Sequence, residues 1–382
     1  MEWQIIPRYL EKYVREDLKN KMVLIGGPRQ VGKTTFALRL LEGGSERHPA
    51  YFNWDNIKNR EALMRGELPA QQRLIILDEI HKFVRWRNLV KGFYDTYKSS
   101  VSFLITGSAR LDLYRKGGDS LQGRYHYYRL HPFSPTELTS SPNFQDIEQL
   151  LMYGGFPEPF LSGDERTWRR WQRERLSRVV YDDIRDLENI REIGHMELLI
   201  AELPNRVGSP LSVKNLKELM EVAHDTVERW LSILERVYIC FRISPFGSPR
   251  IRAVKKEQKL YLHDWSQIPD DGKRFENFVA CQLLKYCHFI EDTQGFRMEL
   301  RFLRDTDKRE IDFIVLRDNR PLFAVECKTG ERSVNAAAYY FRVRTSIPKF
   351  YQVHLGSKDY GNAESSVRVL PYHIFCKEMN LP

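Results

Sequence analysis

Cysteine is scarce in this sequence, and its spacing is irregular. The 382 residues include five cysteines, and no two of them form a Cys-x-x-Cys pair. Zinc sites and disulfide frameworks both use clustered cysteines at regular spacings. The pattern therefore favours reduced thiols over either kind of site. The five are Cys240, Cys281, Cys287, Cys327 and Cys376.

Long hydrophobic runs are also missing. A transmembrane helix needs about 20 consecutive, mostly apolar residues, and no stretch of the sequence approaches that length. The N-terminal segment MEWQIIPRYLEKYVRED mixes acidic and basic residues and has no apolar signal core. We therefore expect no membrane partner and a cytoplasmic location.

Positive charge exceeds negative charge only moderately. Sixty Lys and Arg residues face 51 Asp and Glu residues, which gives a net charge of +9. This balance permits a nucleic acid or another polyanion as a partner but does not require one. Hydrophobic residues make up 42% of the chain, and its length is sufficient for two or three domains.

A phosphate-binding loop is predicted near the N-terminus. MVLI (22–25) precedes GGPRQVGKTT, and the apolar-periodic FALRLL follows, so the G-x-x-x-x-G-K-[ST] pattern lies between a strand and a helix. Glycines let backbone N–H groups surround phosphates, the lysine reaches the β- and γ-phosphates, and the threonine hydroxyl can bind Mg²⁺. We predict that ATP and Mg²⁺ bind through Gly27, Pro28, Arg29, Gln30, Val31, Gly32, Lys33, Thr34 and Thr35.

A second nucleotide motif follows Lys33 by about 45 residues. In RLIILDEIHK, four apolar residues lead directly to Asp78 and Glu79, as in a Walker B strand. Asp78 would hold Mg²⁺ through water, and Glu79 would polarise the attacking water. We expect His81 and Lys82, just beyond, to be ordinary surface residues.

Two further polar positions are candidates for the ATPase site. VSFLITGS (101–108) predicts a strand whose tip lies beside the γ-phosphate, where Thr106 or Ser108 could orient water. A plain strand-end turn is the alternative. Arg124 could stabilise transition-state charge on a phosphate, in cis or in trans, or could be a surface arginine.

These motifs together resemble one family. GPRQVGKTT, LIILDEIHK, LITGSARLDLY, SLQGRY and LHPFSPTEL occur in this order, followed by YGGFP (153–157) and YDDIRDL (181–187). The chain resembles prokaryotic AAA-type P-loop ATPases that carry a winged helix and a nuclease-like C-terminal domain. The resemblance covers nearly the whole chain. It implies ATP hydrolysis, and AAA-type ATPases commonly work as oligomers in which a neighbour supplies an arginine, so a homo-oligomer is a candidate assembly.

The middle of the chain predicts a helix, a tight turn, a second helix and a strand. This pattern, in residues 212–246, resembles a winged helix-turn-helix, whose second helix often enters a major groove. The outer face of that helix is near neutral or acidic, whereas DNA binding favours excess Lys and Arg, so a structural role is preferred. The expected inward residues are Leu216, Leu219, Met220, Val227, Trp230, Leu231 and Leu234.

A basic segment upstream, residues 166–178, contains six arginines interleaved with Trp168 and Trp171. Such interleaving suits stacked bases and a phosphate backbone. However, Trp168, Trp171, Arg175 and Leu176 follow helical spacing, which favours an ordinary amphipathic helix.

Near the C-terminus, EIDFIVLRDNRPLFAVECKTG (310–330) predicts a β-hairpin that is apolar on both faces yet carries charges. Burying an unpaired charge costs several kcal/mol, so these charges need partners. A three-residue loop, 318–320, would place Arg317 opposite Pro321, Leu316 opposite Leu322, Ile314 opposite Ala324 and Asp312 opposite Glu326. Asp312, Glu326 and Lys328 would then share one face at one end.

The charged end of this hairpin resembles the PD-(D/E)xK nuclease motif. Asp312 would be the acidic residue, Glu326-Cys327-Lys328 the E-x-K element, and Glu276, in GKRFENFVACQLLKY, the acidic helix residue. The resemblance implies that Glu276, Asp312 and Glu326 bind Mg²⁺ or Mn²⁺, with Lys328 as a catalytic residue that orients water or stabilises charge on the phosphate. The alternatives are a salt-bridged structural hairpin or a nuclease fold that no longer cuts.

The sequence therefore predicts an α/β chain of three parts. These are an AAA-type P-loop ATPase domain (1–140) with an extra strand between Walker A and Walker B, a helical linker with a winged helix (141–267), and a restriction-endonuclease-like α/β domain (268–382). We expect an Mg²⁺-dependent ATPase coupled to a metal-dependent site that acts on nucleic acid, with DNA as the expected class. The alternative is a nucleotide-gated interaction switch whose C-terminal domain binds but does not cut.

Overall fold

Two β-sheets, one of five strands and one of seven, organise the part of the chain that the structure describes. The computed structural model describes residues 6–107, 121–184, 193–247, 257–360 and 366–382. These residues form two compact units. The first takes in the described parts of Met1–Pro132, Arg175–Glu188 and Arg236–Tyr238, and the second takes in those of Phe133–Glu174, Asn189–Glu235 and Ile239–Pro382.

The first unit is built on a parallel sheet. Its elements are α1 (Glu11–Asp17), β1 (Met22–Gly26), α2 (Lys33–Arg39), β2 (Tyr51–Asn53), α3 (Ile57–Arg65), β3 (Leu74–Asp78), α4 (Trp86–Tyr97), β4 (Ser102–Thr106) and β5 (Tyr125–Arg129). The central strands are apolar and buried, as is typical of parallel sheets covered on both faces. The strand order β2-β3-β4-β1-β5 places β4 between β1 and β3, which confirms the expected extra strand. The carboxyl ends of these three strands therefore meet at one edge.

The second unit is built on a mixed sheet. The remaining elements of the chain are α5 (Pro135–Leu138), α6 (Phe144–Tyr153), α7 (Pro157–Ser162), α8 (Glu165–Arg178), the π-helix Val179–Ile184, α9 (Ile193–Arg206), α10 (Val213–Met220), α11 (His224–Arg236), β6 (Cys240–Pro245), β7 (Lys259–Leu262), α12 (Asp271–Gln294), β8 (Met298–Arg304), β9 (Glu310–Arg317), β10 (Arg320–Lys328), α13 (Ala336–Arg342), β11 (Phe350–His354), β12 (Val367–Pro371) and α14 (Tyr372–Glu378). The strand order is β12-β11-β10-β9-β8-β6-β7, and α12 packs on β8 and β10. Because β6 and β7 share this sheet with β8 to β12, the sheet continues across the predicted domain boundary at residue 268.

The hairpin of β9 and β10 has a different turn from the predicted one but the predicted register at its charged end. Asp318 and Asn319 both have positive φ, 50° and 65°, and they form a two-residue loop with Arg317 opposite Arg320. Asn and Asp tolerate this left-handed conformation better than most residues. The pairing then shifts by one residue between Pro321 and Phe323, which leaves Leu322 as the extra residue of a bulge. The pairings predicted next to the loop are therefore wrong.

Beyond this bulge, Ala324 faces Ile314 and Val325 faces Phe313. The first of these pairs is the predicted one. The two-residue loop and the bulged residue together occupy the same length of chain as the predicted three-residue loop. The charged side chains consequently lie on the same face, as predicted.

The middle segment has the predicted sequence of helix, turn, helix and strand, α10, α11 and β6. Leu216 and Met220 are buried, but Leu219 is 55% exposed, so its predicted inward position is wrong. Residues four apart lie on one helical face, and Leu219 falls beside the buried stripe in this short helix.

The outer face of α11 supports the structural reading of this segment. Arg242 on β6 binds Glu228 and Glu235, with N–O distances of 2.7 and 2.9 Å. Two acidic residues of the candidate recognition helix are thus used inside the unit.

The arginine-rich segment forms α8 and has the amphipathic arrangement. Trp171 is buried and packs on Phe156, with ring centroids 5.1 Å apart, while the Trp168 indole donates to Ser266 Oγ at 2.9 Å. The arginines at 166, 169, 170, 173 and 178 are exposed. Both tryptophans are therefore used in packing, which the helical spacing predicted.

The LHPFSPTEL motif holds α12 in place. Ser134 and Glu137 form a capping box at the start of α5. The buried Lys285 ammonium donates to Ser134 Oγ at 2.8 Å and to the Glu137 carboxylate. This ion pair lies within the second unit, although the motif was expected at the end of the ATPase domain.

All five cysteines are buried and none forms a disulfide, as expected. In the described part of the chain, no helix combines the length and apolarity that crossing a membrane requires.

The exposure difference within α10 gives a paired test of the fold. Leu216→Ala should lower the free energy of unfolding by about 2–5 kcal/mol, because a buried leucine leaves a cavity. Leu219→Ala, on the same helix, should change it by less than about 0.5 kcal/mol. Denaturant unfolding of both variants checks this, and equal losses would contradict the observed helix face.

Candidate functional site

The phosphate-binding loop depends on two glycines. Gly27 has a φ of 143°, and a Cβ there would lie 2.3 Å from the carbonyl oxygen of Leu130. Gly32, with a φ of 93°, precedes α2. Only glycine adopts such conformations without strain, and Gly27 additionally has no space for a side chain. The predicted loop residues, Pro28 to Thr35, thus form one connection from β1 into α2.

The loop brings the predicted Walker residues together. Thr34 Oγ1 donates to Asp78 Oδ2 at 2.7 Å, although 44 residues separate them. The Lys33 ammonium lies inside the loop and donates to the carbonyl oxygens of Gly27 and Pro28, at 3.0 and 2.7 Å. A hydroxyl and a carboxylate in contact, beside a lysine and backbone N–H groups, are the groups that Mg²⁺ and nucleotide phosphates require. These residues fit Mg²⁺–ATP.

Asp78 accepts two further hydroxyl hydrogen bonds. Thr106 Oγ1 donates to Asp78 Oδ1 at 2.5 Å, because β4 places Thr106 directly opposite Asp78. Tyr51, at the start of β2, donates to Asp78 Oδ2 at 2.8 Å. Burial and the neighbouring Asp78 charge raise the pKa of Tyr51, so its hydroxyl remains a donor. Thr106 lies at the predicted strand end, but Tyr51 was missed, since only the pairing of β2 with β3 brings it there.

Glu79 begins a sharp turn after β3. Its φ is 56°, and its N–H donates to the Thr106 carbonyl oxygen at 3.0 Å. His81 is 3% exposed, and its Nε2 lies 3.6 Å from Glu79 Oε2, so the surface position expected for His81 is wrong. Lys82 is exposed, as expected, and binds Asp55 Oδ2 at 2.5 Å. His81 thus contacts the predicted water-polarising residue.

Arg124 lies at the wrong edge of the sheet for a role in cis. It precedes β5, where its carbonyl oxygen accepts from the Met22 N–H at 3.1 Å, at the end of β1 opposite the phosphate-binding loop. Its guanidinium binds Asp95 at 3.0 Å. A contact with a phosphate of the same chain is therefore excluded, and the role in trans stays a prediction. Ser108 lies outside the described residues.

The charged end of the hairpin opens into a cavity of about 620 Å³. Asp312, Glu326 and Lys328 all line it, as predicted from their shared face. Lys328 Nζ lies 2.6 Å from Glu326 Oε1, and the Cys327 N–H donates to Asp312 Oδ2 at 2.8 Å. Asn335 Nδ2 also donates to Glu326 Oε1, at 2.7 Å. The cavity is lined by Lys308, Arg309, Glu310, Asp312, Glu326, Lys328, Asn335, Ala336, Ala337 and Tyr340.

Glu276 does not line this cavity, and its role as a metal ligand stays a prediction. Its Oε1 accepts from the Tyr261 hydroxyl at 2.7 Å and lies 3.3 Å from Lys259 Nζ. Within the described ranges, no group of three or more Asp, Glu, His or Cys side chains is arranged to hold a metal ion. Asp312 and Glu326 remain, and Mg²⁺ is commonly held by one or two carboxylates together with phosphate oxygens. The ligand chemistry of these two residues fits one ion.

Burial sets the protonation of the acidic groups. Burial and the Asp312 charge raise the pKa of Glu326 to about 7 and that of Glu276 to about 8. Burial likewise raises the pKa of Asp312. For Lys259, burial lowers the pKa, but the charges of Glu276, Asp312 and Glu310 outweigh it, and the net pKa is raised.

Several residues of this site were not predicted. Lys259 begins β7, in a stretch that reads as an apolar strand, and its charge was the one available signal. Asn335 reaches Glu326 because Gln352, paired with Glu326 across β10 and β11, accepts from the Asn335 N–H at 2.8 Å. Gln352 Nε2 also donates to the carbonyl oxygens of Arg332 and Ser333. Sequence spacing alone does not reveal such contacts between distant strands.

Three family models match successive parts of the chain. A model described as an AAA domain matches residues 19–139. Two models described as domains of unknown function, DUF8612 and DUF4143, match residues 144–267 and 271–375. The first match agrees with the P-loop geometry and supports an AAA-type ATPase domain, which indicates nucleotide binding and hydrolysis.

Several proteins are similar over most of the chain. The uncharacterized proteins MJ1544 and MJ1637 of Methanocaldococcus jannaschii are each 23% identical to it. The first alignment covers 81% of this chain and 75% of MJ1544, and the second covers 87% and 80%. The uncharacterized protein Rv2008c of Mycobacterium tuberculosis is 24% identical, over 69% of this chain and 62% of Rv2008c. The similarity therefore extends beyond the P-loop region.

Solved structures show a weaker likeness. The ORC1 protein of Aeropyrum pernix, in complex with DNA, is 14% identical with a TM-score of 0.34, over 68% of this chain and 90% of that chain. The Thermotoga maritima RuvB Holliday junction branch migration motor is 17% identical with a TM-score of 0.32, over 62% and 90%. Scores at this level support no conclusion about what this chain does.

The raised pKa of Glu326 predicts how stability depends on pH. Glu326 binds its proton more tightly in the folded protein than in an unfolded chain, where glutamate titrates near 4.5, so the free energy of unfolding should fall as pH rises from about 5 to 8. Glu326→Gln removes this titrating group. The slope of the unfolding free energy against pH should then be flatter by up to about 1.4 kcal/mol per pH unit. Urea unfolding at several pH values in the presence of EDTA measures this slope for both proteins.

The matched control is Glu331→Gln. Glu331 lies outside the cavity, and its pKa is lowered because it accepts from the backbone N–H groups of Ser357 and Lys358. Its pKa lies below this pH range in both states, so its variant should keep nearly the wild-type slope. A Glu326→Gln variant with an unchanged slope would contradict the raised pKa.

Proposed function

We propose that the AAA-type domain hydrolyses ATP with Mg²⁺ and thereby controls a metal-dependent, nucleic-acid-cleaving site in the second unit. The single observation that carries the second half is the cavity at the end of β9 and β10. There, two carboxylates and a lysine from adjacent strands line one space of about 620 Å³.

In the ATPase site, each side chain has a role that its contacts support. Thr34 and Asp78, in contact at 2.7 Å, would hold Mg²⁺, while Lys33 would leave the loop carbonyls for the phosphates. Thr106 and Tyr51 fix the orientation of Asp78. Glu79, in its strained turn beside His81, would polarise the attacking water.

In the cavity, Asp312 and Glu326 would hold one Mg²⁺ or Mn²⁺ ion. The ion would supply charge stabilisation at a phosphate and an acidified water. Lys328 stands 2.6 Å from Glu326 and can stabilise negative charge as it develops on a phosphate oxygen. Asn335 keeps Glu326 Oε1 in place, while Oε2 is buried and has no hydrogen-bond partner.

The mouth of the cavity has groups that suit a nucleic acid. Lys308 and Arg309 line it together with Lys328, and the ring of Tyr340 lies between two guanidinium groups. Arg309 Cζ and Arg344 Cζ each lie 3.9 Å from the Tyr340 ring centroid. Cations next to an aromatic surface are the usual means of binding a phosphate backbone and its bases. DNA is the preferred substrate class, as the resemblance implies.

A nucleotide-gated switch that binds without cutting is the second candidate. One observation favours it: Lys259 places a fixed positive charge among the acidic residues of the site. In this reading the ammonium would replace a catalytic ion. Both candidate functions are compatible with a homo-oligomer. If Arg124 contacts a nucleotide at all, it is the nucleotide of a neighbouring chain.

Loss of ATP binding is expected in Lys33→Ala. Its hydrolysis rate should fall by at least about a hundredfold, because the phosphates lose their cation. Lys58→Ala is the matched control, since Lys58 is an exposed lysine on α3 of the same unit. Fluorescent-nucleotide binding and phosphate release measure both, and equal activity of the two variants would contradict the P-loop assignment.

Loss of cleavage is expected in Asp312→Asn and in Glu326→Gln. We expect the full-length protein to cut DNA with Mg²⁺ or Mn²⁺, and each variant to lose at least about a hundredfold in rate while retaining ATP hydrolysis. Single-stranded, duplex and branched DNA, with RNA as comparison, should be tested with and without ATP. Glu331→Gln, a carboxylate outside the cavity, should cut like the wild type.

Two outcomes would overturn this assignment. Undiminished cleavage by Asp312→Asn would place the activity elsewhere. If no substrate is cut while ATP is hydrolysed, the second unit binds without cutting, and the switch becomes the better reading.

A further inference from the structure

Lys259 is a fully buried lysine inside an acidic cluster. Its side chain is 0% exposed, and its ammonium lies 3.3 Å from Glu276 Oε1 and 3.7 Å from Asp312 Oδ1. It also contacts Glu310 Oε1. Three carboxylates converge on this one ammonium, and carboxylate oxygens are also ligands that divalent ions take. A side-chain cation of the protein itself occupies this position.

On the Lys259 side, most of the carboxylate oxygens are bound by other protein groups. Glu276 Oε1 accepts from the Tyr261 hydroxyl at 2.7 Å and from the Lys259 ammonium at 3.3 Å. Glu310 shares its oxygens between Lys259 and Arg304, whose guanidinium lies 2.9 Å from Oε2. Both oxygens of Glu310 and one oxygen of Glu276 are therefore bound by donors of the protein itself.

Glu326, on the cavity side, differs from both. It is 6% exposed, and its Oε1 accepts from Lys328 and Asn335. Its Oε2 is buried without a hydrogen-bond partner, and the residue lines the cavity. A buried carboxylate oxygen without a donor is costly unless a ligand satisfies it. This observation is independent of Lys259 and points to a cation between Asp312 and Glu326.

We propose that Lys259 is a built-in cation that fills the second ion position of this site and so limits it to one divalent ion, bound by Asp312 and Glu326. The inference rests on the metal-dependent site proposed above. A second divalent ion bound by the same carboxylates would lie within a few ångströms of the Lys259 ammonium. Like charges at that distance repel strongly in a buried site. Lys259 is tethered by the chain and cannot diffuse away to admit the ion.

The test counts bound Mn²⁺ ions. All proteins are full length, nucleotide-free and carry Asp78→Asn, so that the ATPase site contributes no ion. Isothermal titration and Mn²⁺ electron paramagnetic resonance should show one ion per chain when Lys259 is present. Lys259→Met should bind two, with spin coupling between them, and adding Glu310→Gln to Lys259→Met should return the number to one.

Two results would overturn the proposal: a Lys259→Met variant that still binds one ion, or a chain with Lys259 that binds two. If the chain with Lys259 binds none and Lys259→Met binds one, the role of Lys259 is retained while the metal dependence of the proposed function fails. The count therefore separates the two ideas.

A measurement with Lys259 intact covers the case in which Lys259→Met does not fold. Glu310→Gln alone should change Mn²⁺ affinity by less than about twofold, because Glu310 is bound by Lys259 and Arg304 rather than by an ion. A tenfold or greater loss of affinity would show that Glu310 ligates the ion despite Lys259, and would overturn the proposal.

Discussion

A buried carboxylate needs donors or cations around it, and this requirement shapes both candidate sites. Around Asp78 the donors are hydroxyl groups from Thr34, Thr106 and Tyr51. Hydroxyls are neutral, so they hold the carboxylate in place without cancelling its charge, which leaves it free to attract Mg²⁺. Around Asp312 the compensating groups include the ammonium groups of Lys259 and Lys328. There the two lysines neutralise part of the negative charge of the carboxylate, so less negative charge is available to bind a metal ion.

The residues that could be predicted from the sequence share one property: their function depends on neighbours along the chain. Lys33 and Thr34 follow a glycine loop, and Asp78 ends an apolar strand, so spacing alone identifies them. Tyr51 and Lys259 have no such signal. Each reaches its carboxylate through the pairing of strands or the packing of a helix against a sheet, and a single sequence does not determine either.

The wrong predictions have equally local causes. Leu219 was placed by its hydrophobicity, but a short helix buries only one stripe, and Leu216 with Met220 already fills it. His81 was assigned to the surface because polar residues usually lie there, yet the turn after Glu79 directs it inward. Glu276 was assigned by analogy; it is acidic and half-buried, and its role as a metal ligand stays a prediction. The sequence did not reveal that Lys259, 17 positions earlier, donates a hydrogen bond to Glu276 Oε1.

Because of the bulge at Leu322, the type of turn at the hairpin tip does not determine which residues face the cavity. A two-residue loop with one bulged residue and a three-residue loop without one use the same number of residues and present the same faces beyond them. These two turn geometries are therefore equivalent at the charged end of the hairpin. A two-residue and a three-residue turn would therefore present the same charged face, provided that the number of residues between Asp312 and Glu326 stays the same.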